Sequence, residues 1–250
     1  MPDEAMEVEF DDIAWWTAQA VDELGADHAI PAGCRGSASP AALAWLAEAC
    51  SLTDGMRLLD LGAGVGGPAA WASRRYGVRP VLVDPMEGAC RAAAHLFHLP
   101  VTRADGLAVP LRNGSLDAAW SLGVLCTVDD KYGVLRELRR MLVPGASLGL
   151  LVLVARTAHP EPAPEGNSFP SEEELVAVLE QAQFDLVEQV DTPDEVPHSW
   201  TGRADAVDDF IREAHGDDKR YLEAQQQSDR LGELLSSGQV STQLLHAVAR

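Results

Sequence analysis

The stretch Asp60-Leu61-Gly62-Ala63-Gly64-Val65-Gly66-Gly67 holds the residues of this chain whose types and spacing could do chemistry. Gly62, Gly64 and Gly67 match the Gly-x-Gly-x-x-Gly fingerprint of dinucleotide sites, where a sharp strand-to-helix turn lets a ligand approach bare backbone. Asp60 changes that reading. A dinucleotide brings a pyrophosphate to this place, and a carboxylate just before the glycines would repel it. S-adenosylmethionine has no phosphate, and a nearby carboxylate favours both its sulfonium and its ammonium. A nicotinamide oxidoreductase is the weaker alternative, distinguished by which ligand protects the fold against heat.

Such a turn works only between a strand that delivers it and a helix that receives it. From Met56 onward short β-rich runs alternate with helical patterns, which predicts a mostly parallel sheet with helices on both faces. The predicted strands are Arg57–Leu61, Val81–Asp84 opened by Pro80, Val101–Asp105, Leu116–Leu122, Ala146–Ala155, Phe184–Val190 and a last run Val240–Val248. Pro68 suits a first helical position and Gly77 a left-handed cap after Tyr76. Val134, Leu135, Leu138, Met141 and Leu142 share one face of a helix after Asp130 that Pro144-Gly145 stops. Four prolines between Arg156 and Pro170 predict a loop. Ser171 and Glu174 then form a capping box for a helix from Glu172 to about Gln183.

Two segments stand outside the alternation. In Met1–Leu52, Phe10, Ile13, Thr17, Ala20, Val21 and Leu24 make a helical stripe, and Ser39-Pro40 starts another helix. In Asp191–Gly238, Val207, Phe210, Ile211 and Ala214 recur at helical spacing. The expected organisation is an N-terminal helical cap over 1–52, a core over 53–190 plus 239–250, and a helical insert over 191–238.

Leu58-Leu59-Asp60-Leu61-Gly62-Ala63-Gly64-Val65-Gly66-Gly67-Pro68 resembles the first motif of the class I, Rossmann-like S-adenosylmethionine-dependent methyltransferases of small-molecule type. Asp84 closes the second predicted strand about twenty residues past the glycines, where an acidic residue can accept both ribose hydroxyls. Asp105, in Ala104-Asp105-Gly106-Leu107, resembles the family's acidic position for the adenine amino group. The resemblance covers Arg57 to about Ala155 well and the rest of the core loosely. It implies a seven-stranded α/β sheet whose last strand runs antiparallel, with S-adenosylmethionine as cofactor and S-adenosylhomocysteine as product. It also implies cofactor contacts from Asp60, Gly62, Ala63, Gly64, Gly66, Asp84, Pro85, Met86, Asp105, Gly106 and Leu122.

One departure matters. Many small-molecule members have a Glu near the position of Gly123 and a His near that of Thr127, and neither occurs in Ser121-Leu122-Gly123-Val124-Leu125-Cys126-Thr127. No catalytic residue is therefore named. The acceptor is expected to be a nitrogen, sulfur or acidified oxygen, or else the insert brings the base. A protein that binds the cofactor without transferring methyl, such as a cyclase, isomerase or regulatory module, is the alternative on this fold.

Other candidates divide between chemistry and packing. Asp129-Asp130 suits the positive end of a helix, and with no third oxygen ligand at a credible spacing no metal is expected. His95 and His98 are expected at an exposed helix end. Trp15, Trp16, His198, Trp200 and Tyr221 are the candidate walls of an acceptor pocket. The formal charge of −20, from 39 acidic against 19 basic residues, argues against nucleic acid and anionic membranes and for a small, neutral or cationic acceptor. No signal peptide or membrane-length apolar run is visible, and Cys34, Cys50, Cys90 and Cys126 lack metal-ligand spacing, so reduced thiols in the cytoplasm are expected. Oligomeric state is not legible.

Overall fold

The computed structural model describes residues 11–36, 38–193 and 195–250. Phe10 and the rest of 1–10 lie outside them. Two strands have the predicted bounds, β1 (Arg57–Leu61) and β4 (Leu116–Leu122). β2 is Arg79–Asp84, so Pro80 is its second residue, β6 is Phe184–Asp191 and β7 is Val240–Ala249. Together with β3 (Val101–Arg103) and β5 (Leu142–Ala155) they form one sheet in the order β3-β2-β1-β4-β5-β7-β6. Neighbours from β3 to β5 are parallel, and β7 runs antiparallel to both β5 and β6. This is the Rossmann-like methyltransferase fold that the motif implied.

Two boundaries differ from expectation for identifiable reasons. β3 stops at Arg103, and Asp105 accepts the Leu107 N–H on Oδ1 at 2.8 Å, a local bond that turns the chain out of the sheet. β5 begins at Leu142, which pairs with Leu116, while the next partners are Ala118 and Ser147. Pro144-Gly145 ends the preceding helix and then forms this irregularity, with φ +79° at Gly145.

The helices lie on both sheet faces. After the short helices α1 (Ile13–Leu24) and α2 (Ala29–Gly33), α3 (Pro40–Ala49) is capped by Ser39, whose Oγ accepts the Ala42 N–H at 3.2 Å. α4 (Gly67–Tyr76) follows the glycine turn and ends at Gly77, φ +71°. α5 (Glu87–Phe97) follows β2. α6 (Lys131–Met141) is capped by Asp130, which accepts the Gly133 N–H at 2.8 Å. α7 (Glu172–Gln181) carries the complete Ser171/Glu174 capping box. α6 and α7 bury Val134, Leu135, Leu138, Leu175 and Leu179 against Leu148, Leu150 and Val152 of one sheet face. α3 buries Leu43 and Leu46 against Leu58, Trp120, Leu151 and Leu244 of the other.

α8 (His198–His215) and α9 (Lys219–Ser236) occupy the late segment. Val207 and Ile211 of α8 pack against Trp16, Ala20 and Val21 of α1 and Ala29 and Ala32 of α2. Ion pairs join the same parts: Arg35 with Asp208, Arg203 with Asp27 at 3.6 Å, and Arg220 with Asp12 at 2.9 Å. No helix among the described residues is long and apolar enough to cross a membrane.

Candidate functional site

The site is built at the carboxyl ends of β1, β2 and β4. Gly62 N–H donates to Val83 O at 2.8 Å, so β1 hands its turn directly onto the end of β2. Two glycines show why side chains are excluded. A Cβ on Gly67 would sit 2.3 Å from the Gly33 carbonyl carbon and 2.6 Å from Cys34 N, because the end of α2 rests on the first turn of α4. Gly64 has φ +52° and nothing within 4 Å of a Cβ position, which leaves open space over bare backbone.

Two buried carboxylates face this turn. Asp60 is 1% exposed, and burial, reinforced by the nearby Asp84 carboxylate, pushes its pKa from 3.8 up to about 7 against the lowering effect of the Ala69 N–H. Its Oδ2 is buried without a hydrogen-bond partner. Asp84 is held by backbone: Oδ1 accepts the Met86 N–H at 2.9 Å and Oδ2 the Gly64 N–H at 2.8 Å. Burial raises its pKa, and those two donors oppose the rise. A carboxylate has about four acceptor directions, so Asp84 keeps capacity for two hydroxyls.

The remaining cofactor candidates surround this pair. Pro85 O accepts Arg103 Nε–H at 3.0 Å, and buried Met86 leads into α5. Asp105 is exposed in the turn after β3, and a Cβ on neighbouring Gly106 would be in ordinary contact with Leu61 and Val134. Leu122 is buried at the end of β4, and the next turn brings Val124 over Gly62. Within it Thr127 Oγ1 donates to Val124 O at 2.9 Å and Cys126 Sγ contacts Gly123 O at 3.1 Å. The Cys126 thiol is pushed up to about 11 by burial, so it is no thiolate at neutral pH.

An unpartnered buried carboxylate oxygen beside open backbone, with a second carboxylate ready for hydroxyls, suits a cationic nucleoside and not a pyrophosphate. Residues 59–150 match the family model described as "Methyltransferase domain". Residues 59–150 thus carry a methyltransferase domain of the class I S-adenosylmethionine-dependent type. The chain is 27% identical over 167 residues to methyltransferase GfsG of Streptomyces halstedii, covering 60% of each chain. It is 26% identical over 126 residues to norajmaline N-methyltransferase of Rauvolfia serpentina, covering 48% of this chain and 42% of that one. The chain thus spans less than two thirds of the length of these curated relatives. The solved [4+2]-cyclase SpnF superposes with a TM-score of 0.66 at 23% identity, over 83% of this chain and 79% of that one.

Around this methyltransferase domain the sequence-predicted acceptor residues do not form one wall. Trp15 packs on α5, edge-on to His95 with Arg91 at 4.0 Å from its ring centroid. Trp16 stacks on His215 at 3.9 Å, and Tyr221 packs against the same cluster. His198 is exposed at the start of α8, whereas Trp200, two residues later, packs on the layer containing Leu43, Leu122 and Leu151. His95 pairs with Asp22 at 2.8 Å on the surface, and His98 is exposed at the end of α5.

Sequence spacing missed Gly33-Cys34, pressed on Gly67, and Asp11, whose Oδ1 accepts the Gly88 N–H at the start of α5. Both act through long-range packing. The only sequence hint was a small residue at Gly33 and an acidic one before α1.

Proposed function

We propose that the protein is an S-adenosylmethionine-dependent methyltransferase acting on a small molecule. The observation that carries this reading is the unpartnered Oδ2 of buried Asp60, in the strand that leads into the open backbone at Gly64. S-adenosylmethionine, when bound, supplies a methyl group on a sulfonium, and its in-line transfer depends on alignment and exclusion of water. Asp60 favours the cationic end, Asp84 accepts the ribose hydroxyls, and Asp105 with Gly106 meets the adenine. Gly62, Ala63, Gly64 and Gly66 supply backbone, and Pro85, Met86 and Leu122 supply apolar walls. Segment 1–52 and insert 191–238 act as a cap on core 53–190 and 239–250, covering the acceptor. No metal is invoked, and a cytoplasmic setting fits the four cysteines, which form no disulfide.

Isothermal titration with S-adenosylmethionine, S-adenosylhomocysteine and a reduced nicotinamide dinucleotide tests the cofactor assignment. The first two should bind, the third far more weakly, and no heat with either sulfur ligand at millimolar concentration refutes the reading. A second reading, cofactor binding without methyl transfer, is favoured by the lack of Glu or His in Gly123–Thr127 and by the likeness to a cyclase. Mass analysis separates them: transfer yields S-adenosylhomocysteine and a methylated acceptor, the other leaves the cofactor intact.

A further inference from the structure

A second site lies across the carboxyl edge of the sheet from the glycine turn. β6 runs in the same direction as β5, so its end at Asp191 reaches the edge where open parallel sheets place their ligands. α3 runs the other way, since its end leads through Leu52 to the start of β1. Its first residues therefore stand at the same edge. Just before them, Gly36 O comes within 3.5 Å of a Cβ position on Gly123, directly after β4. Between the start of α3 and the segment after β6 is a cavity of about 540 Å³, lined by Pro40, Ala41, Glu195, Val196 and Pro197. That volume is within the range of about 300–1,000 Å³ usual for small-ligand sites. Four lining residues are apolar, and the one charged group is the exposed carboxylate of Glu195. Pro197 O accepts the Trp200 N–H at 2.8 Å, which ties this rim to an indole packed on the cluster that includes Leu43, Leu122 and Leu151.

We propose that this cavity binds the methyl acceptor, and that the acceptor is an apolar molecule carrying a protonated amine held by Glu195. The inference rests on the methyltransferase reading. Its chemical content is charge complementarity: a single carboxylate rims an otherwise apolar cavity in a chain of net charge −20, which draws in cations and repels anions. None of the cofactor positions, which take the ends of β1 to β3 and Leu122, lines this cavity. The amine is the handle, and the atom that receives methyl is elsewhere on the molecule.

The test uses the full chain saturated with S-adenosylhomocysteine and three probes of similar size: phenethylamine, phenethyl alcohol and hydrocinnamate. Amide shifts of Ala41 and Val196 are followed by NMR. Phenethylamine should perturb both and bind about threefold to fivefold more tightly than the alcohol, with hydrocinnamate weakest. Glu195→Gln should remove the amine preference, and Glu195→Lys should transfer it to hydrocinnamate, with S-adenosylhomocysteine affinity unchanged in both. No perturbation by the amine at about 10 mM, equal binding of amine and alcohol, or insensitivity to Glu195→Gln would overturn the inference. Failure of the chain to bind S-adenosylhomocysteine at all would instead refute the methyltransferase reading.

Discussion

Replacing Asp60 by Asn should make the ligand-free protein more stable at alkaline pH and leave it nearly unchanged at acid pH. Burial and the Asp84 charge raise the Asp60 pKa from 3.8 to about 7 in the folded state. Between those values the folded protein keeps a proton that the unfolded chain has released, so this group's contribution to stability falls as pH rises from about 4 to about 7. Above about pH 7 the loss is complete. At about 1.4 kcal/mol per unit, the full effect is up to about 4 kcal/mol. Asn cannot ionise, keeps an oxygen for the Ala69 N–H and lifts the repulsion on Asp84. Urea unfolding of both proteins between about pH 5 and pH 8.5 measures the difference, which should widen with pH and level off above 7. The same charge serves the cofactor. Wild type should prefer S-adenosylmethionine to S-adenosylhomocysteine more strongly as Asp60 ionises, and the Asn variant should show a pH-independent ratio. Parallel stability curves for the two proteins would refute the picture of a buried, unpaired carboxylate.

Asp84→Ala should weaken S-adenosylhomocysteine binding by about 1.5–3 kcal/mol, roughly tenfold to a hundredfold by calorimetry, since it removes a charged acceptor. Gly67→Ala pushes a Cβ to 2.3 Å from the Gly33 carbonyl carbon and should lower the urea midpoint by an amount worth about 1–3 kcal/mol, with ligand absent. Trp200→Ala should slow methyl transfer while leaving S-adenosylhomocysteine affinity within about threefold, a gap under 1 kcal/mol. Equal loss of both would return Trp200 to the cofactor site.

The parts of the fold legible in the sequence are those fixed by local chemistry. Ser171 with Glu174, Asp130, Pro68 and Gly77 each act within a turn or two, and each marks a helix end as read. β1 and β4 have sharp bounds because apolar runs meet turn residues at both ends. Where long-range pairing competes with local signals, the sequence falls short. Leu142 joins the sheet because Leu116 offers a partner, although Pro144-Gly145 follows at once. Asp105 leaves β3 because its own side chain bonds the backbone two residues on. In the site, the order of Asp60, Asp84 and Asp105 was readable, but not that Gly64 and Met86 already occupy one direction on each Asp84 oxygen. In the sequence Trp15, Trp16 and Trp200 are candidate pocket walls, but their partners are not legible: Trp16 meets His215, from the other end of the chain.

The way α8 and α9 are held against α1 and α2 follows from comparing two kinds of contact. The ion pairs involve side chains about a third or more exposed, and such pairs contribute about 0–1 kcal/mol each and weaken in salt. Val207 and Ile211 are 0% and 2% exposed, and burying a side chain of that size is worth about 1.5–3 kcal/mol. Apolar burial against Trp16, Ala20 and Val21 therefore sets the position of α8, and the ion pairs set its register. α1 has a second face, where Ala14 and Ala18 pack on Met86 and Ala89 next to Val65 of the glycine turn. One helix thus bridges the glycine turn and α8, in both cases through apolar burial.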